Sequence, residues 1–166
     1  MGSNKISWTK QQAHVIDTRI GNLLVAAAAG SGKTAVLVER IIEMVLGVDS
    51  NGNKLPDQDR VNVDELLVVT FTNAAAAQMK EKISAALQKK IDEYMANGIY
   101  DEHLIKQMTL INHAEICTID SFCLHIVKEY FAKVQLDSAF DIADKTEMEI
   151  IKKDVMDKVM ESCYQD

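Results

Sequence analysis

The chemistry-bearing residues of this chain gather between Val25 and Thr34, in VAAAAGSGKT. Glycine gives up much backbone entropy on folding, and alanine fills little core. Grouped ahead of one ammonium and one hydroxyl, they suit a loop that wraps a polyphosphate. Such a loop must turn several N–H groups inward, and only small residues let the backbone approach that closely. Gly30 and Gly32 supply the freedom, with Ala27, Ala28, Ala29 and Ser31 as the other loop residues. Lys33 is placed to reach the β- and γ-phosphates as a point charge, and Thr34 to offer a hydroxyl to Mg²⁺. The usual first glycine of GxxxxGK[ST] is replaced by Ala27. The spacing points to a nucleoside triphosphate as ligand, with Lys33 and Thr34 as the catalytic pair. It does not say what the nucleotide is used for.

A phosphate loop needs a strand before it and a helix after it, since the first amides of a helix lack intrahelical acceptors and its dipole favours anions. Residues 22–27, NLLVAA, read as a short buried strand, and Lys33 to Leu46 as a helix stopped by Gly47. Residues 48–64, with the sole proline and an Asn-Gly pair, read as a loop. Leu66 to Thr70, LLVVT, is apolar without alternation, as in a parallel strand covered on both faces. Met79, Ile83, Leu87 and Ile91 recur every four residues along a long helix that ends at Asn97-Gly98. Leu104, Ile105, Met108 and Ile111 mark a short helix, and residues 115–119, EICTI, a third strand. Asp120 stands where an N-cap belongs, ahead of a helix carrying Phe122, Ile126, Val127 and Tyr130. Met148, Ile151, Val155 and Val159 space a final helix. The alternation of strand and helix predicts an α/β fold, a parallel sheet flanked by helices of the P-loop NTPase, RecA-like kind.

The ends of the later strands carry a second chemistry. Thr70-Phe71-Thr72-Asn73 falls at the carboxyl edge of a parallel strand, where such sheets bind ligands. Phe71 can stack a base, and Thr72 and Asn73 can hold phosphate oxygens of single-stranded DNA. Core packing is the ordinary alternative for Phe71. Lys80, Lys82, Lys89 and Lys90 fit either a DNA groove or a solvated helix face.

These stretches together resemble the UvrD/RecB type of superfamily 1 helicases. WTKQQ resembles the motif that holds adenine, with Gln12 as its ligand. LLVVTFTNAAAAQMKEKI resembles the first DNA-contacting motif, and ICTIDSFCL the next, which implies Ser121 as a further DNA contact. Within that group the order and spacing are most similar to the AddA family, helicase–nuclease subunits of bacterial AddAB enzymes. The resemblance implies ATP and Mg²⁺ as cofactors, and single-stranded DNA and duplex ends as partners. It also implies a role in double-strand break repair, shared with an AddB-type nuclease partner. Asp120 departs from the histidine usual in the family. No strand ending in paired acids follows, since Asp64-Glu65 precedes its strand. The expectation is therefore an N-terminal fragment, with residues 1–139 part of the ATP-binding motor domain and 140–166 the start of a helical insertion. The alternatives are a UvrD-like helicase without nuclease, a small P-loop nucleotide or metabolite kinase, and an adaptor that kept a P-loop.

Composition bounds these readings. In 166 residues the hydrophobic share is 48% and the net charge −7, which argues against a generally basic nucleic-acid binder and leaves a local groove open. Cys117, Cys123 and Cys163 are odd in number and lack CxxC spacing, so they read as free buried thiols of a cytoplasmic protein. No apolar run reaches the roughly 18 residues of a membrane span.

Overall fold

The computed structural model describes residues 7–56 and 60–165; residues 57–59 of the 48–64 loop lie outside them. The chain divides into two compact units, residues 1–123 and 124–166.

The first unit is built around a helix pair. α1 covers Lys10–Asp17, α2 Lys33–Leu46, α3 Asn73–Ala96 and α4 Glu102–Leu110. The spacing-four stripe of α3 is buried as expected, with Ile83 and Leu87 wholly out of solvent. It packs on Val38, Ile41, Ile42 and Val45 of α2, and Val63, Leu104 and Ile111 close the cluster. Each such side chain contributes about 1.5–3 kcal/mol by leaving water. Gly47 ends α2 in the left-handed region, φ 66°, and its N–H returns to the carbonyls of Glu43 and Met44. That conformation is why glycine stands there.

Two strands pair in parallel, β1 Leu67–Thr70 with β2 Glu115–Thr118, in the register Leu67 to Glu115 and Thr70 to Thr118. The α/β class and the parallel pairing hold. Two expectations about the sheet do not. Residues 22–27 form no strand, and they are exposed rather than buried, Leu24 by 95%. A strand exists only through its ladder, and no described residue supplies one to this segment. β1, read as covered on both faces, is covered on one. Val68 packs against the core, whereas Leu67 and Val69 are 48% and 43% exposed.

The link from α2 to α4 is a polar network. Arg60 donates to both carboxylate oxygens of Asp101, at 3.2 and 2.9 Å, and through Nε to the carbonyl of Val45 at 3.1 Å. Asp101 in turn caps α4 by accepting from the N–H of Leu104 at 3.1 Å. Buried Gln107 accepts from the N–H of Val63 at 2.8 Å and donates to Asn62 at 3.0 Å. The segment after the loop is thereby fixed where it enters β1.

α5, Ile119–Glu129, follows β2 directly. In the second unit a 3-10 turn, Phe131–Val134, precedes α6, Lys145–Gln165. Asp144 and Glu147 exchange backbone-to-carboxylate hydrogen bonds of 2.9 Å at the start of α6. Met148, Ile151, Val155 and Val159 lie on this helix as expected, and all four are exposed. Among the described residues no helix is long and apolar enough to cross a membrane.

Candidate nucleotide and nucleic-acid site

The phosphate loop has the local geometry its sequence requires. Gly30 and Gly32 have φ of 76° and 82°, conformations that residues with a Cβ rarely adopt. Gly32 is also the N-cap of α2. No side chain caps that helix, and its first turn carries no acid. The first helical bond runs from Val36 N–H to Gly32 C=O at 3.0 Å. The N–H groups of Lys33, Thr34 and Ala35 precede it, at an exposed helix N-terminus suited to an anion. Lys33 folds back over the loop, and its Nζ donates to the carbonyls of Ala27 and Ala28 at 2.7 Å each. Ser31 N–H closes the turn on the Ala28 carbonyl at 3.3 Å.

α1 borders this loop. Thr9 and Gln12 form a capping box: Thr9 Oγ1 accepts from Gln12 N–H at 3.2 Å, and Gln12 Oε1 from Thr9 N–H at 3.0 Å. Gln12 Nε2 donates to the Ser31 carbonyl at 3.3 Å. A cavity of about 380 Å³ opens beside them, lined by Gln12, Val25, Ala27, Ser31, Lys33 and Arg40.

The second candidate region lies at the carboxyl ends of the paired strands. Since Thr70 and Thr118 are in register, residues 71–73 and 119–121 leave the sheet at one edge. Phe71 is fully exposed, so it is not a core aromatic. Thr72 caps α3, accepting from Ala75 N–H at 3.1 Å, and exposed Asn73 is that helix's first residue. Ser121 Oγ lies 2.8 Å from Thr118 Oγ1, which also accepts from Ser121 N–H at 3.2 Å. Thr118 is therefore the cap of α5. Asp120, expected to be that cap, sits instead inside the first turn, because the helix begins at Ile119, two residues earlier than a cap at Asp120 requires. A carboxylate there is still favoured by the dipole. The lysines of α3 read as a solvated face: Lys89 and Lys90 both pair with Glu93, Lys82 donates to Gln78, and Lys80 to the Asn112 carbonyl at 3.5 Å.

One group escaped the sequence reading. Glu43, on the buried side of α2, is 5% exposed, and its Oε2 has no hydrogen-bond partner among the described residues. Burial first, then the charges of Glu39 and Asp17, push its carboxyl up to about 7, against the pull of Arg19. The signal was present: Glu39 and Glu43 stand four apart, a repulsive spacing on a helix. The three arginines, Arg19, Arg40 and Arg60, bear on the small-kinase alternative, which calls for a lid carrying arginines. Each donates to a backbone carbonyl: Arg19 to Ile16 and Val48, Arg40 to Val15, Arg60 to Val45. None projects as the lid a small kinase needs. The thiols are free, as expected; Cys123 and Cys163, however, are exposed rather than buried, and only Cys117 is half-buried.

A glycine-bent loop at an uncapped helix N-terminus, beside a short parallel sheet, defines a P-loop α/β protein. The UvrD/REP helicase N-terminal domain matches residues 8–165, and the chain belongs to that family. It is 48% identical over 162 residues to an ATP-dependent helicase/nuclease subunit of Lachnoclostridium phytofermentans, covering 98% of this chain and 11% of that protein. The proteins of the same description from Clostridioides difficile and Clostridium beijerinckii are 47% and 45% identical, over 96% and 100% of this chain and 12% of each relative. The chain thus spans about a ninth of the length of these relatives.

Proposed function

We propose that this chain is the N-terminal ATP-binding segment of an AddA-type ATP-dependent DNA helicase–nuclease. In that reading residues 1–139 belong to the first motor domain and 140–166 begin a helical insertion. The parent protein couples ATP hydrolysis to translocation on single-stranded DNA, works with an AddB-type partner in double-strand break repair, and is cytoplasmic. The observation that carries the reading is the loop 27–34, with left-handed Gly30 and Gly32 and unclaimed amides at the head of α2. These features fit a Mg²⁺-bound nucleoside triphosphate. Backbone N–H groups of 30–34 would cradle the phosphates, Lys33 would neutralise their charge on leaving the Ala27 and Ala28 carbonyls, and Thr34 would present its hydroxyl to Mg²⁺. The metal would supply charge neutralisation of the phosphates. The acids that would activate water are not supplied by the described residues near the loop. The segment alone is therefore a binding unit with little turnover. Phe71, Thr72, Asn73 and Ser121 are assigned to the DNA side on the strength of their shared sheet edge.

The test has two parts. Binding of Mg·ATP to the 166-residue chain should be measurable by calorimetry and lost in Lys33→Ala, with the circular dichroism spectrum unchanged. In the full-length parent the same substitution should abolish ATP-driven unwinding. Unwinding that survives Lys33→Ala would overturn the motor reading. Robust ATPase turnover by the isolated chain would favour a compact enzyme instead.

A further inference from the structure

We propose that Gln12 is a positioning residue of the phosphate loop, a tether that holds the Ser31–Gly32 peptide to the first turn of α1. The inference rests on the reading of residues 27–34 as a phosphate loop. Its ground is the use made of one amide. Gln12 Oε1 accepts from Thr9 N–H at 3.0 Å, and Nε2 donates to the Ser31 carbonyl at 3.3 Å, across 19 positions of sequence. The orientation is dictated by the neighbours. The reversed amide would face a donor with a donor and a carbonyl with a carbonyl. A Cβ on Gly32 would lie 3.6 Å from Nε2, so the amide rests against the left-handed residue that opens α2.

The loop has little else to hold it. Among the described residues, the other hydrogen bonds that reach it come from the loop itself, from Lys33, or from the start of α2. Its residues are exposed apart from half-buried Gly32. Among the described residues the Gln12 bond is the one side-chain link from outside, and it acts on the carbonyl whose peptide carries the Gly32 N–H. Fixing that peptide fixes the direction of a donor meant for phosphate. The same amide also completes the capping box of α1, so loop and helix are positioned together. A base that bound Gln12 would have to compete with both bonds. The effect of Gln12 should therefore extend to ligands that have no base.

Three variants of the chain separate the jobs of this side chain. Gln12→Ala removes both bonds. Gln12→Glu keeps an acceptor for Thr9 N–H and loses the donor to Ser31. Thr9→Ala weakens the cap of α1 and leaves Nε2 in place. Backbone ¹⁵N relaxation reads the loop directly. In Gln12→Ala and Gln12→Glu the order parameters of Gly30, Ser31 and Gly32 should fall from near the rigid value of about 0.85 toward 0.6. In Thr9→Ala they should stay at the wild-type value. Calorimetry with magnesium tripolyphosphate, which carries no base, reads the consequence. Gln12→Ala should weaken it about fivefold, the equivalent of one neutral hydrogen bond of about 1 kcal/mol. Unchanged order parameters in both Gln12 variants would overturn the tether. So would an equal drop in Thr9→Ala, or a loss of ATP affinity with tripolyphosphate binding intact. If the wild-type chain bound neither polyphosphate, the nucleotide reading would fall, while the relaxation result would still decide whether Gln12 holds the loop.

Discussion

Glu43 offers the sharpest test of the packing described above. Replacing it with glutamine keeps the shape and removes the charge. In the unfolded chain a glutamate titrates near 4.5, and in the fold Glu43 is pushed up to about 7. The folded state thus binds this proton more tightly than the unfolded state does. The sign follows from linkage. The stabilising contribution is complete below about pH 4.5, is lost as the pH rises through about 7, and is absent above it. That gap, at about 1.4 kcal/mol per pH unit, sets a ceiling of about 3 kcal/mol. A cleft of about 610 Å³ adjoins Glu43, lined also by Glu39, Asp49, Lys82 and Tyr94. Solvent there screens part of the cost, leaving about 2 kcal/mol. For a chain of this size that corresponds to a change in Tm of roughly 4–8 °C. Thermal melts of wild type and Glu43→Gln from about pH 5 to about pH 8 are the assay. The variant should be the more stable protein at pH 8, and its advantage should shrink toward zero near pH 5. Asp101 and Asp49, both held below the usual carboxylate range by their hydrogen bonds, titrate beneath this window, and His103, pushed down chiefly by burial, is common to both proteins and cancels in the comparison. A difference between the two proteins that did not change with pH would refute the buried Glu43 carboxyl with its unpartnered Oε2.

Other substitutions probe the remaining links. Phe71→Ala in the full enzyme should weaken single-strand affinity roughly 5- to 150-fold, from a stacking contribution of about 1–3 kcal/mol. Because Phe71 is fully exposed, the Tm of the chain should not move. Asp101→Ala removes both the cap of α4 and the carboxylate that faces Arg60, and should destabilise the chain by about 1–3 kcal/mol in urea unfolding. Asp101→Asn, which keeps a capping oxygen, should recover about half of that loss.

Much of the fold was legible because it depends on local rules. The stripe Met79, Ile83, Leu87 and Ile91 announces a helix with one buried face, and Gly47 and Asn97-Gly98 end helices where they should. The two later strands were visible as short apolar runs. Residues 22–27 looked the same, yet form no ladder. A run of apolar residues states a preference for burial; the pairing itself depends on other segments, and nothing local reveals whether they are present. The continuous apolarity of LLVVT overstated its cover in the same way, since Leu67 and Val69 stay about half exposed. Arg60 with Asp101, and Gln107 with Val63, join positions more than forty apart, and no spacing rule reaches that far. At the site, Thr9-Lys10-Gln11-Gln12 has the spacing of a capping box, so the same Gln12 that resembles an adenine ligand also closes the start of α1. The start of α5 at Ile119 similarly moved the cap from Asp120 to Thr118, a two-residue shift of the kind helix ends often show.

The register of the two strands gives the DNA side its strongest physical argument. In a parallel pair, residues at equal heights leave the sheet together, so matching Thr70 to Thr118 sends Phe71 and Ser121 out of one edge. Each strand then turns straight into a helix capped by a threonine, Thr72 for α3 and Thr118 for α5. Both caps use the hydroxyl as an acceptor, and the Thr118 hydroxyl is also shared with Ser121 Oγ at 2.8 Å. Two helix N-termini and one bare aromatic ring on the same sheet edge combine amide donors for phosphate with a platform for a base. The overall charge of −7 opposes a polyanion at long range, so the proposed DNA binding at this edge would rest on short-range contacts. Binding that depends on Phe71 stacking should show a shallow salt slope, while binding carried by the lysines of α3 would show a steep one. The pairing of Lys89 and Lys90 with Glu93 favours the first outcome.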